Sequence, residues 1–164
     1  MPVYNATFHE VAAGRLPTLN PRALLVAGPV LSVQIEVPDA LASQLQATSQ
    51  PVPPSVAGLA LIDTGATFSA ADLETLTNLG VQPAGSANIW GVGGRTTQSQ
   101  FPAKLSFPGT PLPAIHFSQI IGAPLSGLRI RGFDVPLVAL IGRDILSSCV
   151  LIYNGPGAAF SLSF

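Results

Sequence analysis

Leu59-Ala60-Leu61-Ile62-Asp63-Thr64-Gly65-Ala66-Thr67 is an apolar run that ends abruptly in an acid, a hydroxyl residue and a glycine. The run begins at Val56, and an unbroken apolar stretch of this length reads as a strand buried on both faces. Asp and Gly directly after it read as a turn. A buried element therefore delivers a carboxylate onto a turn. On these residues alone Asp63 is open to four readings: a turn residue, a helix cap, a metal ligand or a catalytic acid.

The rest of the chain is poor in charge. Of its 164 residues 48% are apolar and 9% charged, against about 25% charged in an average soluble domain. Sixteen Gly and sixteen Pro are spread along it, cutting it into short segments that favour strands and turns, so an all-β fold is expected. Residues 1–28 read as an N-terminal arm with one strand, and 29–164 as the main domain. In residues 30–37 Leu31, Val33, Ile35 and Val37 alternate with Val30, Ser32, Gln34 and Glu36, the period of two of a half-buried strand. Residues 39–50 lack β-branched residues apart from Thr48 and run into Pro51, Pro53 and Pro54; they read as a surface loop with room for one helical turn. After the Asp63 turn, Ser69 and Asp72 stand three apart like a capping pair, opening a short helix that ends at Asn78-Leu79-Gly80. Ile89-Trp90-Gly91-Val92-Gly93-Gly94-Arg95-Thr96-Thr97 reads as a hairpin with a Gly-rich tip. Further strands are expected over 98–107, 112–117, 127–133, 137–141, 150–153 and 159–164, with a short helix after Gly142.

Several functions are disfavoured. Seven Lys and Arg against eight Asp and Glu give a net charge of -1, with no basic stripe to neutralise a phosphate backbone, so no nucleic-acid partner is expected. No apolar run approaches the ~20 residues that cross a bilayer, so neither is a membrane partner. Met1-Pro2-Val3-Tyr4-Asn5 carries no basic region followed by an apolar core; a cytoplasmic location is expected. Cys149 is the lone cysteine and cannot form an internal disulfide. His9 and His116 have no Cys or carboxylate at ligand spacing, so neither a metal nor a cofactor is expected. Ser69 and Ser147 lack a paired His for serine hydrolase chemistry.

A second apolar stretch, Val138-Ala139-Leu140-Ile141, leads into Gly142-Arg143-Asp144-Ile145-Leu146. With Leu59 to Thr67 before it and the Gly-rich hairpin between, this order resembles the retroviral-type (retropepsin-like) aspartic proteases. In that family a hydrophobic strand enters Asp-Thr-Gly-Ala, a flap hairpin comes next, and two apolar residues with Gly-Arg and a short helix pack beneath the active-site loop. The resemblance covers residues 30–164. It implies a closed β-barrel or sandwich monomer with one short helix near the C-terminus, acting as a C2 homodimer on a peptide or protein substrate. It also implies Asp63, Thr64 and Gly65 as the catalytic loop, with Ala66, Thr67 and the hairpin residues Trp90, Gly91, Val92, Gly93 and Gly94 against substrate. Leu140, Ile141, Gly142 and Arg143 would support the loop. By the same resemblance the terminal strand, Phe160 to Phe164, pairs with its mate across the dimer. Trp90 is open to two readings, an anchor for the hairpin base or plain core.

Peptide hydrolysis by this chemistry takes two carboxylates sharing one proton, and the sequence holds a single Asp-Thr-Gly. A two-fold axis would supply the second. The chain departs from the retroviral pattern at Thr67, where those enzymes place an acid that pairs with the Gly-Arg arginine. Arg143 must then find Asp72, Asp144 or a backbone carbonyl. The reading is an aspartic endopeptidase; the alternative is a non-catalytic peptide- or protein-binding module on the same fold.

Overall fold

Short apolar runs and alternating apolar–polar stretches, punctuated by Gly and Pro, form the strands of the computed structural model, which describes residues 2–91 and 93–164. Val92, expected among the substrate contacts, lies outside the described residues. The chain begins with β1 (Val3–Thr7), the two-residue strands β2 (His9–Glu10) and β3 (Thr18–Leu19), and α1 (Pro21–Ala27). The helix starts where the Asn20 side chain accepts from the Ala23 N–H, with Pro21 at the first helical position, and stops at Gly28, whose positive φ of 73° with extended ψ is backbone that glycine adopts without strain. Residues 23–27 are thus helical, with Leu24 fully buried.

β4 (Val30–Glu36) and β5 (Val56–Ile62) form an antiparallel pair, Val30 opposite Leu61 and Ile35 opposite Val56. Between them lies α2 (Asp39–Ala47), a surface helix where a loop was expected. Its Ala, Leu and Gln residues are good helix formers, Leu41 and Ala42 pack partly buried against the core, and the helix ends at Thr48, just before Ser49 turns to φ 55°. Next along the chain come β6 (Ala70–Asp72), α3 (Leu73–Asn78), β7 (Gly85–Gly91), β8 (Gly94–Ser106) and β9 (Ile115–Ala123). The expected Ser69–Asp72 cap is also corrected. Residues 70–72 are a strand, and Asp72 caps α3 by accepting from the Thr75 N–H. The chain ends with β10 (Leu137–Ile141), α4 (Arg143–Leu146), β11 (Val150–Asn154) and β12 (Ala159–Ser163). Residues 127–133 are turns and not the expected strand: Gly127 and Gly132 take φ of 85° and 91°, which breaks the alternation, and a lone bridge joins Arg129 to Pro136.

Among the described residues the molecule is mostly β, with 16% of residues helical in four short helices: α3 and α4 stand where short helices were expected, α4 being the expected one near the C-terminus, and α1 and α2 are additional. Six strands close a barrel in the order β4-β5-β10-β6-β9-β8, with β8 returning to β4 through Gln34–Ser106, Ile35–Leu105 and Glu36–Lys104. β5 and β10 run parallel, Leu61 opposite Leu140 and Ile62 opposite Ile141. Gly58 permits their approach, since a Cβ there would lie 2.6 Å from both Val138 methyls. β8 is thirteen residues long and does two things. Its second half supplies Phe101, Ala103 and Leu105 to the barrel interior, while its first half pairs with β7 in a projecting hairpin. The ladder to β9 shifts register between Phe101 and Ala103, at Pro102.

β12 sits in the middle of a separate three-stranded sheet, β1-β12-β11, so both its edges are taken within the chain and neither is left for the expected pairing of the terminal strand with its mate across a dimer. Phe160 and Leu162 are buried from this sheet against the barrel core, and Tyr4 lies beside Phe160 with ring centroids 5.9 Å apart. Phe160→Ala should therefore cost about 3–5 kcal/mol, measured by urea unfolding. A near-neutral result would mean that this sheet does not share the barrel's core.

Candidate active site

Asp63 stands where β5 leaves the barrel. Its N–H donates to the Ile141 carbonyl at 2.9 Å, continuing the β5–β10 pairing by one step. Its Oδ1 accepts from the Gly65 N–H at 2.9 Å and the Ala66 N–H at 3.2 Å, and no hydrogen bond reaches Oδ2 among the described residues. The carboxylate is held by one oxygen and offers the other. Thr64 and Gly65 are exposed. The Thr64 hydroxyl has no partner among the described residues.

The loop is braced from below by the start of α4. Arg143 N–H donates to the Ala66 carbonyl at 3.0 Å and Asp144 N–H to the Thr67 carbonyl at 3.1 Å. The Arg143 guanidinium donates to the Thr64 carbonyl at 3.2 Å and the Thr67 hydroxyl at 2.9 Å. The partner of Arg143 is thus the backbone-carbonyl option together with Thr67 itself, and neither Asp72 nor Asp144. The Asp144 carboxylate accepts from the Ser69 N–H, at 2.9 Å on its closer oxygen, and from the Ser69 hydroxyl at 2.8 Å. The Ser69 oxygen in turn accepts from the Gly142 N–H at 3.0 Å. Gly142 is required by contact: a Cβ there would fall 2.5 Å from the Phe68 carbonyl carbon.

A cleft of about 700 Å³ opens in front of Asp63. Gly65, Ala66 and Thr67 line it from the loop, and Trp90 and Gly91 from the hairpin; Leu140, expected only as support, lines it too. Gly93 and Gly94 lie at the hairpin tip and do not line it. Trp90 is 76% exposed and pairs with Arg95 across the hairpin, so it is neither core nor an anchor at the base. Sequence reasoning missed Phe68, Ile89, Gln98 and Ile121, which also face the cleft. For Ile89 and Gln98 the signal was present, because they share one face of the alternating hairpin. Asp63 is the only ionisable side chain among the described residues that line the cleft.

Asp72 is fully engaged elsewhere. One oxygen caps α3, accepting from the Thr75 N–H and hydroxyl, and the other accepts from the Leu125 N–H and the Ser126 hydroxyl. Burial alone would raise its carboxyl, but the hydrogen bonds from Thr75 and Ser126 outweigh that and hold it below the ordinary carboxylate range.

No protein-family model and no curated protein matches this chain.

Ser69→Ala strips the Asp144 carboxylate and the Gly142 N–H of a partner each, and should cost about 1–3 kcal/mol of stability by chemical denaturation. At Asp72 the folded carboxyl ionises more readily than the unfolded one. Its stabilisation is therefore present above the unfolded value of about 3.9 and lost as pH falls through the lower folded value. The stability gap between wild type and Asp72→Asn should accordingly be widest near neutrality and close on acidification below about pH 3.9. Unfolding midpoints taken across that range check this, and a constant gap would contradict it.

Proposed function

We propose that this chain is a retropepsin-like aspartic endopeptidase, active as a C2 homodimer whose two Asp63 carboxylates flank the attacking water. The observation that carries the reading is the state of Asp63. It is a carboxylate fixed by two backbone N–H groups on a braced turn, the only ionisable group among the described residues lining a cleft overhung by a hairpin. One carboxylate alone cannot both take a proton from water and give one to the scissile carbonyl, so a second copy completes the chemistry.

In the proposed dimer the ionised Asp63 takes a proton from the water as its oxygen bonds to the peptide carbonyl carbon. The second copy's Asp63, protonated, gives its proton to the carbonyl oxygen. Collapse of the resulting diol breaks the C–N bond, and a proton passes to the leaving amine. The two acids thus exchange roles without a covalent intermediate. The unpartnered Thr64 hydroxyl is free to bond across the axis and hold the two loops level. An extended peptide would lie as a strand between loop and hairpin, where main-chain bonds give affinity and side-chain pockets give selectivity.

The binding-module alternative drew its weight from Thr67 and from the N-terminal arm, residues 1–28, which the resemblance does not cover. The arm's share is untouched. The share from Thr67 is reduced, because Arg143 braces the loop through the Thr64 carbonyl and the Thr67 hydroxyl without an acid at that position. Asp63→Asn should lower peptide cleavage by at least about 10²–10⁴-fold while leaving the unfolding midpoint and the association state unchanged. A variant that still cleaves at the wild-type rate would end this reading.

A further inference from the structure

We infer that the second copy docks edge to edge on β11, the penultimate strand, in an antiparallel pairing that joins the two three-stranded sheets into one. The need for a second copy rests on the paired-carboxylate reading above; the choice of β11 rests on the fold.

β12 is enclosed by β1 on one side and β11 on the other, so the outer edges of β1 and β11 are the unpaired backbone of this sheet among the described residues. Sheet edges are ordinarily guarded by charges, prolines or bulges, and β11 carries none of these. No charged side chain occurs anywhere in residues 145–164. Val150 and Ile152 are 53% and 59% exposed. Register puts them opposite Ser163 and Ser161, on the face away from buried Phe160 and Leu162.

An uncharged edge is suited to pairing with itself. In an antiparallel pairing about a two-fold axis the residue at the axis meets its own copy, so a lysine at the strand's midpoint, Ile152 in β11, would set like charges side by side. β11 avoids that repulsion along its whole length. The edge of β1 is a poorer candidate: it shows polar Asn5 and Thr7 beside one exposed apolar residue, Val3. It is also remote in the chain from the site. β11 starts shortly after α4, whose first two residues hold the Asp63 loop by backbone and side-chain bonds. A partner seated on β11 is therefore connected to that loop through one short helix.

Sedimentation equilibrium and peptide cleavage on the full chain test this together. The wild type should be a dimer. Ile152→Lys, at an exposed position, should keep its fold by circular dichroism and weaken association by roughly tenfold or more, with activity falling in step. Val3→Lys, on the other edge, should leave the dimer intact. Mixing Ile152→Lys with Ile152→Glu chains should restore both dimer and cleavage. The inference is overturned if the wild type is monomeric, if Ile152→Lys dimerises like wild type, if Val3→Lys weakens the dimer equally, or if the mixture gives no rescue. The two proposals fail separately. A monomeric Ile152→Lys that cleaves at the full rate sinks the paired-carboxylate chemistry and leaves the interface standing. A dimer indifferent to Ile152 alongside an inactive Asp63→Asn does the reverse.

Discussion

The hydrogen bond from the Asp63 N–H to the Ile141 carbonyl extends the parallel β5–β10 pairing by one rung, and the rest of the site depends on that rung. Parallel neighbours leave the barrel at the same end. The loop after Ile62 and the helix after Ile141 are therefore delivered side by side, although 79 positions separate Ile62 from Ile141. Local bonding then locks the two together: Arg143 to the carbonyls of Ala66 and Thr64, Asp144 to Ser69, and Ser69 to Gly142. The buried Ser69 oxygen joins two of these contacts, donating to Asp144 and accepting from the Gly142 N–H, and Gly142 leaves no room for a side chain against Phe68.

This arrangement determines what the carboxylate can do. Two backbone donors on one oxygen fix the plane of the Asp63 carboxyl and leave its second oxygen to the cleft. No other ionisable group stands among the described residues of the lining, so under the proposed chemistry one chain would supply half of an acid–base pair. Low overall charge and the uncharged β1-β12-β11 sheet are what the proposed dimer would need in order to bury more of its own surface than one copy can. The specificity of such a site would come from the apolar walls, Phe68, Ile89 and Ile121 among them, and not from ion pairs.

Local signals were legible where they were strong. Val56–Ile62 has the bounds its apolar run implies, and 30–37 pairs as its alternation indicates. The hairpin, Leu137–Ile141 and the helix from Arg143 form for the same reason. Residues 127–133 misled because Leu128 and Ile130 alternate with Arg129 and Arg131 while the glycines turn the backbone. The Ser69–Asp144 bond was invisible, since both are ordinary polar residues and 75 positions separate them. The position of β12 was hidden similarly. Its second neighbour, β1, comes from the opposite end of the chain, pairing Asn5 with Ser161, and no property of Phe160 to Phe164 announces that both its edges are taken.

The thirteen-residue β8 is at once a stave of the barrel and an arm of the hairpin over the cleft. An unbroken ladder along it would carry any tilt of the arm straight into the wall that buries Phe101 and Leu105. The register shift at Pro102, a residue with no N–H to give, interrupts that load path. The two halves can then keep separate twists. The hairpin behaves as a lever with its own fulcrum, and a peptide pushing against it would load one joint in place of the whole barrel.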